Sequence, residues 1–464
     1  MFASAKRAER DGGDHRRASS SSLLPIVSHN TTHNHSASSR LPHSSTTPSR
    51  HITCALPTRR AGAFVLFPSC LMAALVWLLI HLFFASASGG STSAIPASSS
   101  SLADLALEKV LADSAQIFGL FPAPPSSQKK PPNKTSDRAN WMSNLPDATP
   151  LTRLNIPGTH DSATWNFSRA TQASIPYDAD ADVVADPAIY RCQRASIAAA
   201  LGAGVRFFDL RYGLDPATRR GLVFFHREAL LSAQANVEGV LFAFYAWLAA
   251  HPSEVVLLSF QYEGAKGRAS PDDAPVAHAL LVAALTGPAA RMFIHQGRDV
   301  LPLLGDARGR VVLVRRFEGD GEGELQVPGI QLPPSRWPDN GRSFAIVYNE
   351  PRNLSAYVED YYEPNDLPAS LAQNVTANIE AKMQAVEAHL HMAAAADGDA
   401  GGGNGESLFI TFASAEHTSN ELPLTPEIMA LGNGSEITPG GGVNVRLAEV
   451  LRGEGLRGRR VGIV

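Results

Sequence analysis

His160 and Asp161 follow a short alternating run, Leu154-Asn155-Ile156, that Pro157 and Gly158 stop. An imidazole and a carboxylate are thereby delivered side by side to a strand end. Further along, Gly204-Val205-Arg206-Phe207-Phe208-Asp209-Leu210-Arg211 reads as a second strand. Asp209 and Arg211 lie two apart and so share one face, with Phe208 and Leu210 on the other. A buried carboxylate and guanidinium are costly unless paired, which points to a functional reason for them. The next apolar run, Leu222-Val223-Phe224-Phe225, delivers His226.

Two imidazoles, a guanidinium and supporting carboxylates are a chemical set. One imidazole takes a proton from a hydroxyl nucleophile while the other protonates a leaving oxygen. The guanidinium neutralises a phosphoryl group in a bidentate grip, and carboxylates fix imidazole tautomers. Such a set cleaves a phosphodiester without a metal, and no cofactor is expected. A serine hydrolase fits poorly, because no Gly-x-Ser-x-Gly elbow is present. A metal-dependent phosphodiesterase would want acidic ligands at the centre, where Arg211 stands instead.

The elements that must position these groups are short apolar runs alternating with helical stretches. Strands are expected at 151–156, 205–212, 222–225, 254–261, 309–316, 344–348, 407–412 and 460–464. Helices are expected at 193–202, 235–250, 275–285, 370–396 and 443–452. The 370–396 stretch carries Leu371, Val375, Ile379, Met383, Val386 and Leu390 on one face. Strands alternating with helices imply an α/β protein with a parallel sheet. About eight strands in ~320 residues suggest a β/α barrel of the TIM type, distorted because its loops look irregular. A doubly wound sheet is the alternative, weakened by the absence of a Gly-rich loop after the first strand. On the barrel, Asp209 and Arg211 face inward and Phe208 and Leu210 face the helices.

A net charge of −4 and a pI near 6.4 argue against a nucleic-acid binder. Of the three cysteines, only Cys192 lies in the globular region, which leaves neither an internal disulfide there nor a cysteine-built zinc site. Residues 1–60 are rich in Ser, His and Arg and are expected to be disordered. Their His29, His33, His35 and His43 lack a fixed ligand spacing. Residues 61–87 are nearly all apolar, long enough for the ~20 residues of a bilayer crossing, and follow Arg59 and Arg60. They read as a signal anchor or a signal peptide, cleaved in the second case after Ala85-Ser86-Ala87. Everything downstream is then secreted, or held by a single span on the lumenal or extracellular side. Sequons at Asn133, Asn166, Asn353, Asn374 and Asn433 agree with that fate. Residues 88–140 form a Ser/Pro-rich linker interrupted by a short helix over 102–120, with Leu102, Leu105, Val110 and Leu111 as its packing face. The barrel is expected to occupy 141–464.

From Asn140 onward the chain resembles the bacterial-type phosphatidylinositol-specific phospholipase C family, the X-domain lipases. The resemblance rests on separate runs: Trp141 to Pro146, Ile156 to Ser162, Gly204 to Arg211, His251-Pro252-Ser253-Glu254, Leu304 to Gly309 and Trp337-Pro338-Asp339-Asn340. It implies an irregular, incomplete β/α barrel acting on an inositol phospholipid at a membrane surface, as a monomer. By position it makes His160 the general base on the inositol 2-hydroxyl and His226 the general acid for the diacylglycerol oxygen. Arg211 would hold the phosphate with Asp161 supporting it, and Asp209 would orient His226. Arg316, Asp360 and Tyr362 fall where the family builds its inositol pocket, although Tyr361 is adjacent to Tyr362. Family members with an arginine at the position of Arg211 need no calcium.

Two departures stand out. Ser259-Phe260-Gln261-Tyr262-Glu263 contains no lysine where the family has a pocket lysine. The family also continues its last strand into an aspartate backing the general base, and in this register that residue would fall about three positions past Val464. The last strand is therefore expected to be truncated. Two other readings compete with a lipase of phosphatidylinositol or its glycosylated anchors. One is a catalytically impaired lipid- or glycan-binding pseudoenzyme, and the other a metal-dependent glycerophosphodiesterase-like barrel.

Overall fold

A computed structural model of the protein describes residues 101–120, 137–178, 184–264, 268–318, 327–396, 406–418 and 423–464. The chain divides into two units, residues 1–95 and 96–464, and every described residue belongs to the second. The tail at 1–60 and the apolar run at 61–87 lie outside the described residues. Among the described residues no helix is long and apolar enough to cross a membrane.

Among the described residues ten strands organise the fold: β1 (Gly158–Thr159), β2 (Phe207–Leu214), β3 (Leu222–His226), β4 (Ala229–Leu230), β5 (Val255–Tyr262), β6 (Arg310–Arg316), β7 (Ile330–Gln331), β8 (Phe344–Asn349), β9 (Leu354–Glu359) and β10 (Leu408–Thr411). The first sheet runs β4-β3-β2-β5-β6-β7. β1 and β3 share one edge of β2, β1 pairing at Phe207–Phe208 and β3 at Tyr212–Leu214. The pairs β1·β2, β2·β5, β5·β6 and β6·β7 are parallel. β2, β5 and β6 are buried on both faces along most of their length, and β5 and β6 carry near-continuous apolar runs. Alternate residues go to two cores. Phe208, Leu210, Val256, Leu258 and Leu313 pack toward the helices, and Phe207, Val255, Leu257, Val312 and Val314 pack inside the sheet's curve.

The second sheet is β10-β9-β8, with β9·β10 parallel and β8·β9 antiparallel. The last residues of the chain join the two sheets. Ile463 bridges Ile156 on one side and Ile410 on the other, parallel to both. Gly462 makes this approach possible: its φ is 79°, and a Cβ there would lie 2.5 Å from the Phe409 carbonyl oxygen. The result is an α/β fold with a parallel sheet whose strands follow an arc from β8 through Ile463 and β1 to β7. Among the described residues no strand pairing joins β7 to β8, so the barrel does not close.

Several expectations change in detail. β3 and β8 run antiparallel to their neighbours, because short connections return the chain as hairpins and leave no room for a crossover helix. Leu151–Arg153 is a 3-10 turn, and only Ile156 and β1 extend the sheet there. The strand Leu354–Glu359 was not among the expected elements, since its apolar residues are interrupted by Ser355. The helix Leu102–Phe118 packs through its C-terminal end, where Ser114, Ile117 and Phe118 are buried. Leu102 and Leu105, expected on its packing face, are 84% and 52% exposed, because the helix meets the domain only at its last turns. The packed unit therefore starts well before residue 141.

Arg206 fastens this N-terminal segment. Fully buried, it donates from Nε and Nη2 to Glu254 Oε2 at 3.0 and 2.7 Å, and also to the carbonyls of Leu201, Val205 and Ala139. Its guanidinium sits over the Trp247 ring at 4.8 Å. Glu254→Ala would leave this cation buried with no counter-charge on it, facing only carbonyls and indole rings, and is expected to lower unfolding free energy by about 3–5 kcal/mol. Denaturant titration checks this; a loss under ~1 kcal/mol would show that the carbonyls suffice.

Candidate active site

Most of the chemical residues sit at a strand's C-terminal end or in the loop that follows, and two lie within β2. His160 and Asp161 follow β1, Asp209 and Arg211 are the third and fifth of the eight residues of β2, and His226 closes β3. Gln261 lies at the end of β5 and Glu263 just follows it, Arg316 ends β6, and Asp360 follows β9. They converge on a cleft of ≈ 370 Å³ lined by His160, Arg211, His226, Glu263, Arg316, Asp360 and Tyr362 among others. Asp161 and Asp209 lie beneath it, fully buried.

Arg211 occupies the centre. Its Nε is 3.7 Å from Asp161 Oδ2 and 3.6 Å from Asp209 Oδ2, and its Nη1 is 3.3 Å from Glu263 Oε2. Burial opposes its charge, but Glu263, Asp161 and Asp209 together hold its pKa well above the ordinary value. Its Nη2 lies 2.7 Å from His160 Nε2. A guanidinium only donates, so His160 Nε2 accepts and the ring is neutral with its proton on Nδ1. Burial first, then Arg211, His226 and Arg316, push the His160 pKa well below the usual histidine value.

His226 Nδ1 donates to the Tyr190 carbonyl at 2.7 Å and lies 3.1 Å from Asp161 Oδ2. Burial and Arg211 lower its pKa to about 4, against the opposing pull of Glu263 and the Tyr190 carbonyl. The carboxylate beside His226 is therefore Asp161, whereas the expected partner was Asp209. Asp209 instead stands 4.0 Å from His160 Nε2 and 3.5 Å from Arg316 Nη1. The exchange follows from the backbone of Asp161, which is left-handed at φ 45° and turns its side chain under His226. Burial raises the Asp161 carboxyl well above the carboxylate range despite Arg211.

The second half of the cleft is built by Arg316, Trp337, Asp360 and Tyr362. The Arg316 guanidinium lies 3.6 Å over the Trp337 ring, and its Nη2 is 3.7 Å from Asp360 Oδ2. Trp337 Nε1 donates to the same Asp360 oxygen at 2.8 Å. Tyr362 lines the cleft and donates its hydroxyl to Asp339 Oδ1 at 2.8 Å, whereas Tyr361 is buried with its hydroxyl on Asp366.

Sequence reasoning assigned no part to Glu263, Gln261 or Lys382. Glu263 is three-way bound: to Arg211, to the Arg227 backbone N–H at 2.9 Å, and electrostatically to His226. The signal for it was a strand-end position matching that of His226. Lys382 is fully buried on the helix Val375–Ala396 and donates to Glu359 Oε1 at 2.7 Å. It is one of the charges that depress His160. Its sequence signal, a single lysine on the apolar face of a long helix, was readable.

Unpartnered polar atoms gather here. His160 Nδ1, both Asp161 oxygens, Asp209 Oδ1, Arg211 Nε, Gln261 Oε1 and Arg316 Nη1 are buried without a hydrogen-bond partner among the described residues. Buried polar groups are normally satisfied, so such a cluster marks a place prepared for a polar ligand.

No protein-family model matches the chain. Over 297 residues it is 24% identical to the 1-phosphatidylinositol phosphodiesterase of Staphylococcus aureus strain Newman, covering 62% of this chain and 82% of that enzyme. It is 32% identical over 149 residues to the PI-PLC X domain-containing protein 1 of Mus musculus, covering 28% of this chain and 41% of that protein. In fold it resembles a double mutant of the phosphatidylinositol-specific phospholipase C from S. aureus, with a TM-score of 0.50 and 21% identity over 70% of this chain and 89% of that one. The sheet and its connections make an α/β fold similar to that of the bacterial phospholipase C. In sequence the chain is similar to phosphatidylinositol phosphodiesterases and to PI-PLC X domain-containing proteins, the resemblance that its motifs carry.

In the free protein the His226 imidazole should titrate near pH 4, with Arg211 contributing to the depression. Arg211→Gln removes a positive charge, which favours the imidazolium and should raise that midpoint. Histidine NMR titration reads both values; an unchanged midpoint would mean that burial alone sets it.

Proposed function

We propose that the chain is a phosphodiesterase that cleaves phosphatidylinositol, or its glycosylated form, to diacylglycerol and a cyclic inositol phosphate without a metal. The observation that carries this reading is that two depressed imidazoles share one cleft with a carboxylate-held guanidinium. His160, whose Nε2 is a lone-pair acceptor, takes the proton of the inositol 2-hydroxyl. That oxygen attacks phosphorus, the bond from phosphorus to the diacylglycerol oxygen breaks, and His226 protonates the departing oxygen. Arg211 offers its charge to the phosphoryl oxygens. Asp161, 3.1 Å from His226 Nδ1, steadies the imidazolium form, and Asp209 orders Arg211 and Arg316 around His160. Arg316, Asp360 and Tyr362 receive the inositol hydroxyls, and the phospholipid lies in a membrane surface.

The mechanism needs His226 charged, yet the free site holds it neutral. A bound phosphodiester supplies the missing negative charge, compensates Arg211 and raises both imidazoles. We place the domain on the lumenal or extracellular side, which the exposed sequon asparagines Asn353, Asn374 and Asn433 support.

With phosphatidylinositol vesicles in chelator, cyclic inositol phosphate is the expected product; a requirement for added calcium or magnesium would overturn the metal-free assignment. His160→Ala and His226→Ala should each lower kcat by roughly 10²–10⁴-fold. Arg211→Lys should lose most activity, since an ammonium lacks the planar fork. Near-wild-type rates in any of the three would refute its role. Activity should also fall as pH rises through the His226 pKa. That limb should lie near 4 in kcat/KM, which reports the free enzyme, and higher in kcat, which reports the complex. Identical limbs would show that the substrate does not recharge His226.

A further inference from the structure

Cys192 lines the cleft beside His226 and has no part in the proposed reaction. Its Sγ, one Asp161 carboxylate oxygen and one His226 ring nitrogen all lie within 4.8 Å of one another. The three residues are tied together by the backbone. Thr164 Oγ1 accepts from the Cys192 N–H at 3.0 Å and donates to the Asp161 carbonyl at 2.8 Å. The Tyr190 carbonyl, two residues before Cys192, holds His226 Nδ1. Asp161 is fully buried, and neither of its carboxylate oxygens has a hydrogen-bond partner among the described residues. An unsatisfied carboxylate thus faces a thiol and an imidazole.

We propose that Asp161, Cys192 and His226 form a binding site for a thiophilic divalent cation of the zinc type, and that the ion shuts off the cleft. A carboxylate, a thiolate and an imidazole suit such an ion and are a poor set for magnesium or calcium. Ligand bonds of ~2.0–2.3 Å require the three donor atoms to draw closer than they now stand. Side-chain rotation supplies that movement, with the cleft side left open for water as a fourth ligand. The proton balance is explicit: the thiol and the Asp161 carboxyl release their protons to solvent, and the imidazole proton passes from Nδ1 to Nε2 as Nδ1 turns from the Tyr190 carbonyl to the metal. Arg211 opposes a second cation nearby, while Asp209 and Glu263 offset it. The metal uses the lone pair and the carboxylate on which the His226 role depends. Binding stands on the cluster alone, and the inhibition rests on the function proposed above.

Cobalt(II), which reports thiolate ligation by a charge-transfer band, tests the binding in the full-length protein without any substrate. One equivalent should give the band, zinc should displace it, and both Cys192→Ser and Cys192→Ala should abolish it. No band in the wild type, or equal bands in the wild type and the variants, overturns the site. On phosphatidylinositol vesicles, zinc should inhibit the wild type, and Cys192→Ser should need at least about tenfold more zinc to lose half its own uninhibited rate. Equal zinc sensitivity would overturn the inhibitory role even if cobalt binds. A wild type with no turnover but a cobalt band would refute the proposed activity and leave the metal site standing.

Discussion

A guanidinium held largely out of water inside a parallel sheet must be surrounded by carboxylates, and this constraint shapes the whole site. Arg211 cannot shed its charge, so the fold brings Asp161, Asp209 and Glu263 to within 3.7, 3.6 and 3.3 Å of it. Those three come from β1's loop, β2 and the end of β5, which sets the order in which the strands must pair. The β2·β5 register, with Arg211 beside Gln261, puts Glu263 two residues beyond and within reach. The imidazoles inherit the consequence: near so much fixed positive charge and away from water, His160 and His226 are held uncharged. The same preorganisation gives an anion its binding energy, because the donors are already in place before it arrives.

Strain collects where these loops turn. Asp161, Arg227 and Asn340 all have left-handed backbones, with φ of 45°, 53° and 51°, and each lies next to cleft-lining groups. Such conformations cost on the order of 1–3 kcal/mol for residues other than glycine and persist only where neighbours over-determine them. Here they do. Thr164 holds the Asp161 carbonyl, Glu263 receives the Arg227 N–H, and Asn340 exchanges two hydrogen bonds with the Glu363 backbone.

Strand-level patterning was the readable part of this chain. The two-residue spacing of Asp209 and Arg211 against Phe208 and Leu210 assigned both faces of β2, and the packing follows that division. Periodicity cannot report strand direction, so β3 and β8 passed for parallel strands. It also cannot report which carboxylate meets which imidazole. Asp161 and Asp209 are near-equivalent as sequence, and only the left-handed turn at Asp161 decides that it reaches His226. The charges on Lys382 and Glu263 escaped for a related reason. Local position marked both residues, but the partners they meet lie on elements far apart in the chain, which no local pattern records.

The gap in the arc carries a further consequence. Between β7 and β8 no backbone ladder joins the two sheets among the described residues, yet the cleft needs both sides at fixed distance. Side chains make the connection: Arg316 from β6 lies on Trp337 and faces Asp360 after β9, and Trp337 donates to that same carboxylate. On the opposite side, backbone does the joining, with Ile463 between Ile156 and Ile410, the Ile156 N–H donating to the Gly462 carbonyl at 2.9 Å and the Thr411 N–H to the Ile463 carbonyl at 2.9 Å. The side with the peptide seam carries His160, where an acid–base group tolerates little displacement. The side held by a cation, an indole and a carboxylate carries the residues proposed to receive the inositol ring. Those contacts are adaptable, so the part of the cleft that must select a ligand is also the part free to adjust around it.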